Sequence, residues 1–213
     1  FLAARNRGCD VATANKKPLA DDPDIFASLQ GAAATQGRFI RAEATVGAGL
    51  PVIDTLEMLL ATGDQPKSAR GCLSGTLGYL MSALENGTSF SDAVKAAVDL
   101  GYTEPDPVAD LSGVDVARKA TILARLAGFP SANKPVQLEG LVDASLEGQS
   151  LETLFAHLET LDQAFESKVE VAKASGQVLR FVAEVNADHI KVGPIAVPAA
   201  SPLGGLQGSD NMI

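Results

Sequence analysis

Hydrophobic residues recur at helical spacing along most of the chain and give way to shorter apolar runs at a few points. Apolar positions three and four residues apart predict α-helices. These helices are expected at 1–8, 24–34, 52–62, 77–86, 90–100, 113–127 and 150–174. The shorter apolar runs predict strands at 10–14, 38–42, 69–73, 178–186 and 190–197. Such a mixture indicates an α/β or α+β protein in which helices cover a mixed sheet.

The pattern also divides the chain near residue 43. Residues 1–42 resemble the tail of a Rossmann-like nucleotide-binding domain. The Gly-rich turn at 43–51 opens a second domain, which is expected to extend over 43–197. No Gly-x-Gly-x-x-Gly follows a predicted strand in this sequence. We therefore expect the first half of the nucleotide-binding domain to be missing and the chain to be a fragment.

Composition and charge narrow the classes of function. The 213 residues carry a net charge of −9, which argues against nucleic-acid and membrane partners because these bind clustered Lys and Arg. Cys9 and Cys72 fit a reduced intracellular chain rather than a disulfide framework. His157 and His189 lie far from any Cys or acid at ligand spacing, so zinc is not expected.

Residues 101–119 concentrate the candidate chemistry of the chain. Their sequence is Gly-Tyr-Thr-Glu-Pro-Asp-Pro-Val-Ala-Asp-Leu-Ser-Gly-Val-Asp-Val-Ala-Arg-Lys, with four carboxylates and one lysine. Pro105 and Pro107 favour extended geometry in the residues before them, so the acids are expected to begin on a non-helical segment. Such a segment suits a polar substrate that carries an ammonium group and needs a proton donor.

The end of this segment is expected to be helical. Ser112, followed three residues later by Asp115, has the form of a capping box. Asp115 and Lys119 stand four residues apart on one helical face. By itself that pair is also compatible with an ordinary surface ion pair, which contributes about 0.3–0.5 kcal/mol.

The whole 101–119 segment resembles the signature of the homoserine dehydrogenase family. That family interconverts L-homoserine and L-aspartate 4-semialdehyde with NADP or NAD, in threonine, methionine and isoleucine biosynthesis. In the resemblance, Lys119 is the proton donor, a role that suits lysine because burial can lower its pKa. Glu104 and Asp115 correspond to carboxylates that hold the homoserine ammonium group, and Asp110 corresponds to an acid near the reacting end.

The resemblance assigns further contacts outside these acids. Gly101 and Tyr102 match backbone contacts to cofactor and substrate, and Thr76 matches another substrate contact. Without the resemblance, Thr76 is compatible with a simple helix N-cap. Asn15 and Lys16 resemble the Asn-Lys pair that meets the cofactor and the reacting centre in this family. A solvated turn is the alternative interpretation of that Lys-Lys-Pro loop.

A second resemblance lies in residues 43–51, Glu-Ala-Thr-Val-Gly-Ala-Gly-Leu-Pro. In the family, a glutamate and alternate backbone carbonyls bind a monovalent cation, Na⁺ or K⁺. The corresponding residues here are Glu43, Val46, Ala48 and Leu50. Glycines allow successive carbonyls to converge on one point, and hard cations take oxygen ligands. The alternative is a tight turn that holds no ion.

The closing residues 202–211 also resemble the family, as part of a return segment, 198–213, toward the nucleotide-binding domain. They depart from the family by Ala200-Ser201, where a histidine often precedes the proline. The resemblance implies a homodimer built through the sheet of the 43–197 domain, located in the cytoplasm or, for a plant-like source, the plastid. Two alternatives stay open: a binding or dimerisation module without turnover, and a dehydrogenase for a related amino-hydroxy acid.

Overall fold

The computed structural model describes residues 3–4 and 7–213. The helix predicted at 1–8 therefore lies partly outside the described residues, although Ala3 and Ala4 are helical. None of the helices within the described ranges is long and apolar enough to cross a membrane. Within the same ranges, no three His, Cys, Asp or Glu residues are grouped so that they could hold a metal ion.

The described chain contains both helices and strands, with four helices in succession between the third and fourth strands. The α-helices are α1 (Lys17–Ala20), α2 (Pro23–Gln36), α3 (Val52–Ala61), α4 (Gly75–Glu85), α5 (Phe90–Asp99), α6 (Val108–Leu111), α7 (Val114–Leu126) and α8 (Leu151–Ala174). The strands are β1 (Val11–Ala12), β2 (Ile40–Arg41), β3 (Ser68–Gly71), β4 (Gln137–Leu138), β5 (Gln177–Asn186) and β6 (Ile190–Pro198). Short 3₁₀ turns occupy Glu43–Thr45, Pro130–Asn133 and Ala144–Leu146.

The strands form two sheets. β1 and β2 pair in parallel, with Val11 opposite Ile40. The larger sheet has the order β3-β5-β6-β4, in which β5 is antiparallel to both β3 and β6 while β4 is parallel to β6. A mixed sheet covered by helices is thus confirmed.

The two faces of the larger sheet are covered differently. Alternate residues of a strand point to opposite faces, so Phe181 and Val185 of β5 enter the main core beneath the helices. Val178 and Val182 face the other way, into a smaller cluster that includes Cys72. Leu203 and Leu206, from the chain after β6, pack on this smaller cluster. Burial raises the pKa of the Cys72 thiol to about 11.

Serine side chains cap the starts of three helices, α4, α5 and α8. A hydroxyl at the N-cap accepts a backbone N–H that the first turn would otherwise leave unpaired. This contact occurs from Leu77 N to Ser74 at the start of α4, from Asp92 N to Ser89 at α5, and from Thr153 N to Ser150 at α8. The N-cap alternative for Thr76 is therefore wrong, because Ser74 occupies that position.

The capping box predicted at Ser112 is also wrong. Ser112 has helical dihedral angles at the end of α6, and its hydroxyl donates to the carbonyl of Ala109 at 3.2 Å. Gly113, with a φ of 73°, then turns the chain into α7. Helix α6 was not expected after two prolines, but Pro107 lies just before its first residue, where a missing N–H costs no helical hydrogen bond.

The predicted loop 15–18 is partly helical for the same reason. Pro18 stands in the first turn of α1, which begins at Lys17. Lys16 immediately precedes this short helix, so its side chain projects from a defined turn rather than from a flexible loop.

Candidate active site

Two lysines share one carboxylate at the start of α7. Lys119 Nζ lies 2.9 Å from Asp115 Oδ2, and Lys16 Nζ lies 3.0 Å from Asp115 Oδ1. Lys119 also donates to the carbonyl of Leu73 at 2.6 Å, just after β3. The Lys119 side chain is only 15% exposed, whereas the Asp115 side chain is 43% exposed. The centre is thus an ionised cluster that opens to solvent on the Asp115 side.

The lysines control the ionisation of Asp115. Burial acts to raise the pKa of this carboxyl, but the charges and hydrogen bonds of Lys119 and Lys16 outweigh it. The resulting pKa lies below the ordinary aspartate value. The position in the first turn of α7 adds to the effect, because a helix N-terminus favours negative charge.

A second acid shapes the loop that leads to this cluster. Asp110 Oδ2 accepts the backbone N–H of Glu104 at 2.8 Å. Burial raises the pKa of Asp110, the N–H of Glu104 opposes that rise, and the charges of Glu104 and Asp115 add to it. The side chain of Glu104 is exposed. Asp110 therefore fixes the backbone of the loop while the Glu104 carboxylate faces solvent.

Asp106, the remaining acid of the 101–119 segment, stabilises the structure of the loop. Asp106 Oδ1 accepts the N–H of Val108 at 3.0 Å, in the first turn of α6. Its other oxygen accepts the N–H of Gly148 at 2.8 Å. Asp106 thereby ties the loop to the turn before α8, and neither of these contacts involves the lysine cluster.

Helix α4 holds the other end of the loop. The hydroxyl of Thr76 donates to the carbonyl of Tyr102 at 2.6 Å. The rings of Tyr79 and Tyr102 meet edge to face, with centroids 5.1 Å apart. Thr76 and Tyr102, which were predicted separately, are thus brought into direct contact. Gly101 lies beside them in the chain.

The segment that carries Asn15 and Lys16 is docked on α7. Asn15 Oδ1 accepts the N–H of Lys17 at 3.1 Å, which defines the turn before α1. Arg118 Nε lies 3.1 Å from Asp21 Oδ1, and Arg125 donates to the carbonyl of Leu19 at 2.6 Å.

Sequence reasoning did not identify Arg118, Arg125 or the Leu73 carbonyl as part of this arrangement. Asp115, Arg118 and Arg125 recur at spacings of three and seven residues, which marks one side of a helix. That spacing was the available signal for the two arginines. Nothing in the local sequence marks the Leu73 carbonyl as the partner of Lys119.

The Glu43 loop forms a separate polar feature. Glu43 Oε1 accepts the N–H of Ile53 at 2.9 Å and Oε2 accepts that of Asp54 at 2.7 Å, so this carboxylate caps α3. Gly47 and Ala48 have φ angles of 82° and 54°, and Ala48 is the one non-glycine residue with positive φ in the described ranges. A non-glycine residue in this region is strained, and such strain clusters at functional sites.

The sequence and fold match one family over most of their length. The family model for homoserine dehydrogenase matches residues 51–213. A bifunctional aspartokinase/homoserine dehydrogenase of Haemophilus influenzae is 40% identical over 100% of this chain and 26% of its own length. A homoserine dehydrogenase of Paracoccidioides brasiliensis is 38% identical over 98% of this chain and 59% of its own length.

Solved structures agree with this assignment. A putative homoserine dehydrogenase from Archaeoglobus fulgidus is 31% identical, with a TM-score of 0.80 over 98% of this chain and 57% of the other. A mutant archaeal homoserine dehydrogenase in complex with NADPH is 25% identical, with a TM-score of 0.71 over 98% of this chain and 54% of the other. The chain spans less than two thirds of each of these proteins. By sequence and by fold, the chain belongs to the homoserine dehydrogenase family.

Proposed function

We propose that the protein interconverts L-homoserine and L-aspartate 4-semialdehyde with NADP or NAD, in the biosynthesis of threonine, methionine and isoleucine. The observation that carries this proposal is the cluster of Lys16, Asp115 and Lys119 beside the Glu104 loop. Family membership supports it, because Asp115, Lys119 and the Glu104 loop lie within the residues that the family model matches.

Reduction of the aldehyde requires a hydride at carbon and a proton at oxygen. The bound nicotinamide supplies the hydride. Lys119 is the proposed proton donor: its ammonium is held between Asp115 and the Leu73 carbonyl, and the third N–H remains to reach the aldehyde oxygen. In the oxidative direction the neutral amine takes the hydroxyl proton. Lys16 and Asn15, on the docked turn, are proposed to meet the cofactor near the same atoms.

The direct test uses the protein expressed from its natural gene. Purified protein mixed with L-homoserine and NADP or NAD should produce reduced nicotinamide, followed at its near-ultraviolet absorbance band. Omission of homoserine, or its replacement by a 2-hydroxy acid without an ammonium group, is expected to abolish the signal. Equal rates with both substrates would contradict recognition of the ammonium group and favour a less specific dehydrogenase.

The acids are proposed to bind the substrate ammonium group. The Glu104 carboxylate is exposed, and Asp115, although paired with two lysines, retains a substantial exposed surface. An ionised carboxylate has about four lone-pair positions, so a third cation can share Asp115. Tyr102 and Thr76 are proposed as further substrate contacts, Asp110 as an acid near the reacting end, and Gly101 as a contact to the cofactor.

Glu104→Gln and Asp115→Asn are each expected to weaken homoserine binding more than nicotinamide binding, because each removes a charge-assisted hydrogen bond. Asp115→Asn should also lower turnover, since it releases both lysines. Separate titrations with homoserine and NADP, together with kcat, provide the measurement.

Glu139→Gln is the control for these variants, because Glu139 pairs with Lys168 at 3.1 Å on α8. Its ligand affinities should match those of the unaltered protein. Equal weakening of both ligands by Glu104→Gln and Asp115→Asn would indicate a role in folding instead.

We also propose that the Glu43 loop binds Na⁺ or K⁺. The ligands would be the Glu43 carboxylate and the carbonyls of Val46, Ala48 and Leu50. The strained Ala48 backbone supports this proposal, whereas the two N–H groups that Glu43 accepts support the empty-turn alternative.

A bound cation predicts a melting temperature that rises with Na⁺ or K⁺ at constant ionic strength, because only the folded state binds it. At a concentration of 100 times Kd the gain is about 2.7 kcal/mol. A bulky organic cation keeps the ionic strength constant, and differential scanning calorimetry measures the shift. Glu43→Gln should remove the dependence; a melting temperature that ignores the ion would favour the empty turn.

A homodimer through the larger sheet is proposed as well. β6 pairs with β4 only at Lys191 and Val192, and among the described strands none pairs with the rest of that edge. An edge with unpaired backbone groups is a site where another chain can add.

A further inference from the structure

Arg180 is a charged residue placed inside the protein. It lies on β5, is 2% exposed, and faces the smaller cluster of the larger sheet. Its guanidinium donates to the backbone carbonyls of Leu179, Leu203, Gly204 and Leu206, at 2.8, 3.2, 2.6 and 2.9 Å. Glu85 Oε2 lies 2.8 Å from Arg180 Nη2, as an ion pair without hydrogen-bond alignment. Because a buried charge is costly to leave unpaired, Arg180 holds these four carbonyls and Glu85 in fixed positions.

Three of these carbonyls belong to the chain after β6, residues 203–212, called here the closing segment. Arg180 therefore anchors the start of the closing segment to the sheet. Its other end is anchored just after β3, where Cys72 and Met212 exchange two backbone hydrogen bonds of 2.8 and 3.1 Å. Between these anchors the closing segment runs along helix α4.

One side of α4 is built to receive this segment. A Cβ added to Gly75 or Gly78 would lie 3.2 Å from the Ser209 carbonyl oxygen or 3.0 Å from that of Gly208, so the two backbones approach closely. Ser82 Oγ accepts the N–H of Gly208 at 3.0 Å. Glu85, one turn further on, is the residue that pairs with Arg180. These contacts fix α4 against the closing segment along its whole length.

The adjacent side of α4 contacts the loop between α5 and α6, residues 100–107, called here the substrate loop. Thr76 and Tyr79 contact Tyr102 through a hydrogen bond and a ring contact, as described above. Any shift of α4 relative to the sheet moves both residues, and with them the Tyr102 end of the loop.

We propose that Arg180 and Glu85 are positioning residues for the Tyr102 end of the substrate loop. They act by holding α4 in a fixed position between the closing segment and that loop. The term substrate loop rests on the proposed function; the mechanical link between the ion pair and Tyr102 does not.

The contact between the two tyrosine rings gives a signal for this link. Within the 213 residues the two tyrosines are Tyr79 and Tyr102, and there is no tryptophan. Subtracting the near-ultraviolet circular dichroism spectrum of the matching Tyr102→Phe variant leaves the contribution of Tyr102, called here the tyrosine band, whatever aromatic residues lie outside these 213. Glu85→Gln keeps the volume of the side chain but removes the charge that faces Arg180. We expect it to lose most of the tyrosine band while the far-ultraviolet spectrum is unchanged.

Glu159→Gln is the matched control, because it breaks a 3.0 Å ion pair with Lys95 between α5 and α8. It should leave the tyrosine band unchanged. If Glu85→Gln does not fold, Ser82→Ala gives the same test by removing only the hydrogen bond to Gly208, with a smaller loss of the band. A tyrosine band that is unchanged in a folded variant, even one with a lower melting temperature, overturns the proposal.

Kinetics provide an independent measurement on the active protein. Glu85→Gln should raise KM for homoserine more than KM for NADP, because the residues that α4 positions directly, Thr76 and Tyr102, are proposed substrate contacts. An equal rise in both constants would contradict a specific effect on the loop. If the unaltered protein does not oxidise homoserine, the proposed function fails, and the tyrosine band still decides the positioning role.

Discussion

Lys119→Ala is expected to lower homoserine turnover by about 10²–10⁴-fold, the usual contribution of a positioned acid–base group. The physical reason is the geometry of the ammonium, which is held at 2.9 Å from Asp115 and 2.6 Å from the Leu73 carbonyl. Removal of the side chain takes away the proposed acceptor of the hydroxyl proton in this direction of the reaction. The measurement is kcat for homoserine oxidation at saturating NADP, with circular dichroism to verify folding.

Lys168→Ala is the control for Lys119→Ala, because it also removes a lysine from an ion pair, with Glu139 at 3.1 Å. Its turnover should be that of the unaltered protein. If Lys119→Ala folds and retains near-normal kcat, Lys119 is not the proton donor. In that case Lys16, which contacts the same carboxylate, becomes the next residue to test.

Gly113→Ala is expected to destabilise the protein and to abolish most of the activity. Gly113 has a φ of 73°, where a side chain costs on the order of 1–3 kcal/mol. An added Cβ would also lie 2.7 Å from Cζ of Phe181, and such overpacking costs about 1–3 kcal/mol more. The resulting shift would separate α6, which carries Asp110, from α7, which carries Asp115.

Gly128→Ala separates the two contributions. Gly128 has a similar φ of 70°, but a Cβ added there meets no atom within 4 Å. It should therefore show the backbone cost alone, with turnover preserved. Denaturant unfolding of both variants gives the difference in the free energy of unfolding. Equal losses for Gly113→Ala and Gly128→Ala would show that contact with Phe181 is not important.

The hydrophobic periodicity predicted the long helices and strands correctly, because each of them is long enough to show a repeating apolar face in its own sequence. Helix α8 was predicted at 150–174 and is observed at Leu151–Ala174; β5 was predicted at 178–186 and is observed at Gln177–Asn186. The short helices α1 and α6 were missed, because residues 15–18 were predicted as a loop after a strand, and Pro105 and Pro107 were interpreted as favouring extended geometry. A single turn has too few apolar positions to show a helical period.

The candidate site was predictable where its members lie on one element. Asp115 and Lys119 are four residues apart, so their ion pair follows from helical geometry. The contact between Lys16 and Asp115 depends on the docking of α1, and the bond from Thr76 to Tyr102 depends on the packing of α4. The family resemblance named these four residues as site residues, but neither the resemblance nor the local pattern predicted the contacts between them. The Ser112 prediction was wrong because Gly113 takes a left-handed conformation that a capping motif does not reveal.

Helix α7 contacts the segment 16–22 at several points along its length, through Asp115, Arg118 and Arg125. The same rigid helix carries Lys119. The two parts of the chain on either side of residue 43 are therefore held together by more than the linker between them, because α7 of the second part contacts residues 16–22 of the first. A tilt of α7 would move Lys119, the proposed proton donor, together with Asp115, to which Lys16 is bound, so the distance between the two lysines would be preserved while their direction changed. A change of shape that fits the proposed site to a different substrate must then come from the loops that end on α7, because the helix holds both lysines at a fixed separation.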